Sequence, residues 1–360
     1  MLIWADTFSR YGTGATGVSN AMAGLYANVE PGGLPGGNAF PYDPDPLAIV
    51  RPVLCPGATV SNSNTTDTRW AVPKTTKNLG VAMRVWLTQL PYDDGHRPSI
   101  IAFRSIMNTK LVDIIIEPTG HLSIYDTKAG GPAVAMSAAP VTNPSSWNHF
   151  EAFFDSSAGT IAVRVNGVER ASYTWGTPQD ANIGLVGMTC RQNNATASAD
   201  LYIKDFVVWD NTGTKNNSFF GTVLVEPLIP NADVTLGSWS VTGATYGYDT
   251  LDNNPPDDAK YISALASGVN QAEFALTDLP EDVSSVRGVV LVARARKSDA
   301  GDGTIQTGIA RSTSETKSGD IPLTTASTYY PEVFENDPVT GGNILPAYMN
   351  DMRVIIDRVV

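Results

Sequence analysis

The sequence predicts an all-β chain of two domains, and three observations lead there. Gly, Pro, Ser, Thr and Asn are abundant while charged residues make up only 17%, the composition of many short strands joined by many turns. The stretch from Trp147 to Asp210 alternates apolar and polar residues with period two and is punctuated by turn dipeptides. No amphipathic helical pattern lasts longer than a turn or two. At 360 residues the chain holds about two domains of roughly 150 residues each. A hydrophobic content of 42% supports a sizeable core and excludes wholesale disorder.

Met1–Ser9 reads as an opening strand that offers Trp4 and Phe8 to a core. Residues 11–46 are rich in Gly, Pro and Asn and read as a long loop, the kind that tends to be functional or to lie in an interface. Ala48–Leu54, Arg69–Val72 and Leu79–Leu90 read as strands. In the last of these Val81, Met83, Val85 and Leu87 alternate with Ala82, Arg84 and Trp86. Ser99–Ser105, Leu111–Glu117 and His121–Asp126 form a meander, with Pro118-Thr119-Gly120 as a turn. Glu151–Asp155 turns through Ser156–Gly159 into Thr160–Val165. Asn166-Gly167 then predicts a two-residue type I′ hairpin, because both central residues need positive φ. Asp200–Asp210 is an aromatic and β-branched strand that closes the sheet.

Asn211–Gly221 has linker composition. The domains therefore read as 1–212 and 222–360, joined by 213–221, with Thr222–Pro227 as a fresh strand. In the second domain Val286–Ala295, Thr304–Ala310, Ser327–Glu335 and Met352–Val359 read as strands, and Lys297–Gly303 as a hairpin-type loop. The final strand is expected to dock in a sheet.

Charge narrows the partners. Residues 1–212 hold 14 Lys/Arg and 17 Asp/Glu, and residues 213–360 hold 10 and 19. No basic stripe exists for neutralising phosphates, which disfavours nucleic acid, and the acidity would repel an anionic bilayer. No run of 18 apolar residues occurs, so no membrane insertion is expected. The N-terminal MLIWADTFSRYG lacks a basic region followed by an apolar core; synthesis in a cytoplasm without Sec export is the expectation. The two cysteines, Cys55 and Cys190, pair only if the fold brings their Cα atoms within about 7 Å. Two buried free thiols are the plainer reading.

Two resemblances follow from segment order. Trp147, Phe150, Phe154 and Asp155, then Gly159 to Gly167, then Ala199 to Asp210 resemble the C-terminal half of a laminin-G or concanavalin-A-like sandwich. That implies a jelly-roll β-sandwich whose last strand returns beside the first, and says little about function. The succession from the Asp205–Val234 region through Pro255–Ile262, Val286–Gly301 and Thr328–Gly341 resembles a recurrent virion protein of tailed bacteriophages. In that family a laminin-G-like domain precedes a small acidic β-domain, read here as jelly-roll-like. This second resemblance implies a surface component of the particle: a capsid decoration, head fibre or tail fibre, made in the host bacterial cytoplasm. The terminal NILPAYMNDMRVIIDRVV departs from the family in lacking a Trp-Thr after Asp337-Pro338. Other virion proteins are then the partners and a homotrimer the stoichiometry, by analogy. The loop 29–46, with Pro31, Gly32, Gly33, Pro35 and Gly36, is the expected assembly contact.

Candidate sites are few. Asp93-Asp94-Gly95-His96 reads either as a calcium ligand pair or as a solvated turn, and the turn is favoured. Asp257-Asp258 and Asp299/Asp302 face the same choice. No EF-hand-like loop occurs, so no cofactor is expected beyond such calcium candidates. His96, His121 and His149 are scattered, and neither G-x-S-x-G nor H-E-x-x-H is present. Asp113 and Glu117 are four apart and share a face of their strand, but read as solvent-facing residues rather than a glycosidase pair. Among Trp4, Trp70, Trp86, Trp147, Trp175, Trp209 and Trp239, core packing is the default. Trp175, near a turn, is the expected exposed sugar-stacking candidate. A non-enzymatic virion protein is the favoured function. A carbohydrate-binding adhesin for the host surface and a polysaccharide hydrolase are the alternatives.

Overall fold

The computed structural model describes residues 1–6, 65–87, 89–91, 99–127, 132–191, 201–251, 257–264 and 270–359. The chain divides into two compact units, Met1–Val225 and Glu226–Val360. All 22 strands among the described residues pair antiparallel.

The first unit is a sandwich of two six-stranded sheets. The first sheet contains β1 (Leu2–Asp6), β3 (Asn78–Leu87), β8 (Trp147–Asp155), β9 (Thr160–Val165), β10 (Val168–Thr174) and β12 (Leu201–Trp209), in the order β1-β12-β3-β8-β9-β10. The second contains β2 (Thr65–Thr76), β4 (Ser99–Ser105), β5 (Lys110–Ile116), β6 (Leu122–Asp126), β7 (Ala133–Met136) and β11 (Ile183–Arg191), in the order β2-β11-β4-β5-β6-β7. As expected of the sandwich, the late strand β12 lies beside β1, with Leu2 opposite Trp209.

The period-two pattern explains the packing. Leu79, Val81 and Met83 of β3 face Phe154, Ala152 and Phe150 of β8 in register, and all six are fully buried. Alternation places them on one face of the pleat. The two sheets meet through Phe103–Phe154, with ring centroids 5.5 Å apart, and through Trp70–Phe206 at 4.8 Å. The Asn166-Gly167 turn has φ of 52° and 79° at its two residues, and Val165 pairs with Val168 across it. This is the two-residue hairpin the dipeptide predicts.

The second unit has one larger sheet, β13 (Pro230–Thr235), β16 (Gln271–Leu276), β22 (Arg353–Val359), β18 (Thr304–Arg311) and β19 (Ser314–Lys317) in that order, with β20 (Ile321–Pro322) also on β18. Two ribbons accompany it: β14 (Trp239–Thr242) with β15 (Tyr261–Ala264), and β17 (Val289–Ala295) with β21 (Thr328–Phe334). Val289 and Leu291 of β17 pack on a core of Ile309, Phe334, Ile344, Met349 and Met352, which makes a small second sandwich. The C-terminal strand is docked between β16 and β18.

Three expectations of the sequence are corrected. Residues 222–227 form no strand; the second unit's first strand is Pro230–Thr235. Lys297–Gly303 joins β17 to β18, which do not pair with each other, so it is a crossover and not a hairpin loop. The boundary lies at Val225/Glu226, because residues 211–225 belong to the first unit. Ala48–Leu54, Phe8, Cys55 and the loop 29–46 with Pro31, Gly32, Gly33, Pro35 and Gly36 lie outside the described residues.

Candidate functional site: the outer faces of the sandwich

Each sheet turns one face to the core and one away from it. On the first sheet, the register Lys204–Arg84–His149 and the neighbouring row Ala82–Glu151–Arg164 run across β12, β3, β8 and β9 on the outer face. A charged row of this kind ordinarily faces water. Here Glu151 is fully buried and His149 is 3% exposed.

The segment read as a linker accounts for this. Phe220 and Gly221 donate their backbone N–H groups to Glu151 Oε1 at 2.8 and 3.1 Å. The Val225 N–H reaches Asp205 Oδ1 at 3.0 Å. The Phe220 ring packs on Trp209 with centroids 4.6 Å apart, and the Arg164 guanidinium lies 4.1 Å over Phe219. Trp209 in turn lies over Gly80, where a Cβ would stand 2.0 Å from the indole. Residues 211–225 are thus a strap across the outer face. The backbone nitrogen of Met1 adds to it, donating to the carbonyl of Asn216 at 3.0 Å. Beneath the strap, burial and the Arg84 charge push the His149 pKa down to about 4, so the ring is neutral at pH 7.

The outer face of the second sheet is different. Ala102, Asp113 and Tyr125 are in register across β4, β5 and β6. Asp113 accepts hydrogen bonds from Ser99 Oγ and, at 2.7 Å, from Lys110 Nζ. Tyr125 donates to Glu117 Oε1 at 2.9 Å. Arg104 lies over Gly187, where a Cβ would come within 2.8 Å of Nε, and its Nη1 donates to Asn108 Oδ1 at 3.2 Å. Donors and acceptors therefore pair with one another along this face. Asp113 and Glu117 share this face, as their spacing predicts, but are 4% and 8% exposed rather than open to solvent. Asp113 lies within β5 and Glu117 directly follows its last residue, Ile116.

The remaining sequence candidates fall as follows. Trp175 is 9% exposed, which corrects its reading as an exposed platform. Its Nε1 donates to Asp126 Oδ2 at 2.8 Å and its ring meets Phe154 and Tyr173 edge-on; the turn that follows it carries the chain away while the indole folds inward. Asp258 pairs with Arg294, which lowers its carboxyl pKa, and Asp257 Oδ1 accepts the Ala259 N–H at 2.9 Å. Asp299 accepts the Gly301 N–H at 2.8 Å. His121 Nδ1 lies 2.8 Å from the Ser137 carbonyl oxygen. Among the described residues, no group of three or more His, Cys, Asp or Glu could hold a metal. Asp93, Asp94 and His96 lie outside them. Cys190 is on β11.

Sequence reading missed the strap, and it also missed Asp337. This aspartate is fully buried, receives Arg311 through two hydrogen bonds of 2.7 Å, and accepts both the N–H and the hydroxyl of Thr340 at 2.8 Å. The Asn-Asp-Pro-Val-Thr-Gly run was the available signal, since Asp followed three residues later by Thr favours such a side-chain-capped turn.

No family model matches the chain, and no curated protein is similar to it in sequence. Solved structures resemble part of it. A Bacillus subtilis protein with a galectin-like fold is 12% identical, over 47% of this chain and 86% of that one, with a TM-score of 0.33. The galectin LEC-6 of Caenorhabditis elegans is 16% identical over 42% and 100%, with a TM-score of 0.29. A sialidase is 15% identical over 44% of this chain, with a TM-score of 0.33, and the match spans only 15% of that enzyme. At these scores the likeness carries no argument about function. The β-sandwich rests on the strand order and packing given above.

Proposed function

We propose that this chain is a non-enzymatic structural component of a tailed-phage virion, working by docking and presentation rather than by chemistry. The observation that carries the non-enzymatic reading is the use made of the carboxylates on the two outer faces. Asp113 is held by Ser99 and Lys110, Glu117 by Tyr125, and Glu151 by two strap amides. Each serves as a structural acceptor, whereas acid–base catalysis needs a carboxyl set against its substrate. The particle itself is inferred from the order of segments between Trp147 and Gly341. In this reading one unit or the loop 29–46 docks on other virion proteins, copies associate as a trimer, and the other unit faces outward.

The test is composition of purified particles. Quantitative mass spectrometry of particles banded by density should find the chain in fixed, stoichiometric copy number, and deletion of residues 31–38 should lower that number without unfolding the protein. Absence from banded particles would overturn the reading.

A second reading, glycan recognition at the host surface, is supported by the half-buried Lys110 and Tyr125 on the outer face of the second sheet, beside the buried Arg104, Asp113 and Glu117. It is tested by the substitutions Lys110→Met and Tyr125→Phe, scored by adsorption of particles to cells.

A further inference from the structure

The second unit carries a different kind of surface. Tyr246 and Tyr248 follow β14, and their rings stack with centroids 5.5 Å apart and planes 16° from parallel. Tyr246 is 53% exposed, whereas a large aromatic ring is ordinarily mostly buried.

The backbone beneath these rings is fixed. Asp233 accepts the N–H groups of Gly247 and Tyr248 at 2.8 and 2.7 Å. Thr250 Oγ1 donates to the Gly247 carbonyl at 2.7 Å. Gly247 lies so close to the core that a Cβ would stand 2.6 Å from Leu236 Cδ2. Gly243, with φ of +79°, lies against the Ala259 carbonyl, 2.4 Å from where a Cβ would be. An exposed ring on a pre-ordered loop loses little entropy when it binds.

We propose that Tyr246, backed by Tyr248, is a stacking plate for one pyranose unit of a neutral glycan. The rings are parallel, so they offer one flat face. A cation is best held by rings set at angles around it, while the C–H face of a pyranose needs a single plate. Residues 226–360 contain 9 Lys/Arg and 19 Asp/Glu, a balance that disfavours anionic sugars. This site belongs to the second unit alone and does not depend on where the protein is carried.

The experiment is isothermal titration of the full chain with maltohexaose, cellohexaose, chitohexaose and N-acetyllactosamine, each to about 5 mM, with phosphocholine as the cationic comparison. At least one sugar is expected to bind with Kd on the order of 0.1–1 mM. Tyr246→Ala and Tyr246→Leu are expected to weaken that sugar at least about tenfold, and Tyr246→Phe to retain it. The thermal transition should not move in any of the three variants, because the ring lies at the surface. The proposal is overturned if no sugar binds, if Tyr246→Ala binds as the native chain does, or if phosphocholine binds more tightly than every sugar and is lost with Tyr246.

Discussion

Glu151 accepts the backbone N–H of Phe220 at 2.8 Å, across 69 residues of chain. The carboxylate is fully buried and takes the Gly221 N–H as well. With Asp205, which accepts the Val225 N–H, this acidic side chain ties the strap to the first sheet and makes residues 211–225 part of the sandwich.

Removing that carboxylate should free the strap. Glu151→Ala is expected to lower the unfolding free energy of the first unit by about 2–3 kcal/mol, the scale for losing charge-assisted hydrogen bonds and leaving buried amides unsatisfied. Urea denaturation measures this. Hydrogen exchange should accelerate at the Phe220 and Gly221 amides more than at β9. Unchanged protection there would contradict the anchoring role.

His149 makes the same region sensitive to acid. Its folded-state pKa of about 4 lies below the ordinary histidine value of 6.5, so the unfolded chain takes up the proton first. The neutral ring contributes its full stability above about pH 6.5, and that contribution is lost as pH falls towards 4. Linkage sets the loss on the order of 3 kcal/mol. His149→Gln should flatten the stability curve between these limits; an equally steep curve in the variant would assign the acid sensitivity elsewhere.

How much of this was legible in the sequence follows from local and non-local causes. Ile161, Val163 and Val165, with Asn166-Gly167, carry strand, face and turn in seven residues, and the structure has all three. The strap was not legible, because Asn211–Gly221 has the small polar residues of a linker and its partners Glu151 and Arg164 lie far upstream. Trp175 was misread for the same reason: the turn beside it is local, whereas Asp126 and Phe154, which bury it, are distant in sequence. The stacking of Tyr246 on Tyr248 depends on an unusual loop that Gly243 and Gly247 permit, and no periodic pattern announces it.

Arg311 and Asp337 should act as a unit in the smaller domain. The bidentate Arg311 contact holds the Asp337 carboxyl well below the usual carboxylate range. Its contribution is present above about pH 3.8 and is lost as pH falls further. Asp337→Asn is expected to lower the second unit's transition by about 5 °C or more. Arg311→Lys should not restore it, since an ammonium lacks the planar fork. Scanning calorimetry reads both, and an unmoved transition in Asp337→Asn would contradict the pairing.

Trp175 should matter to stability and not to binding. Trp175→Ala is expected to destabilise the first unit by about 3–5 kcal/mol, as a large buried ring does. Trp175→Phe should lose mainly the Asp126 hydrogen bond, about 1–2 kcal/mol. A variant that folds normally but no longer adsorbs to cells would instead return Trp175 to a ligand-binding role.

The most direct test of the central claim is cryo-electron microscopy of intact particles with the copies of this chain counted. Ordered copies of the chain are expected at symmetric positions on the particle surface. Many copies at lattice sites on the shell would make it a decoration or head fibre, and a few at the tail would make it an adhesion or tail fibre. Particles that carry no density for the chain, while it accumulates as free protein, would contradict the account.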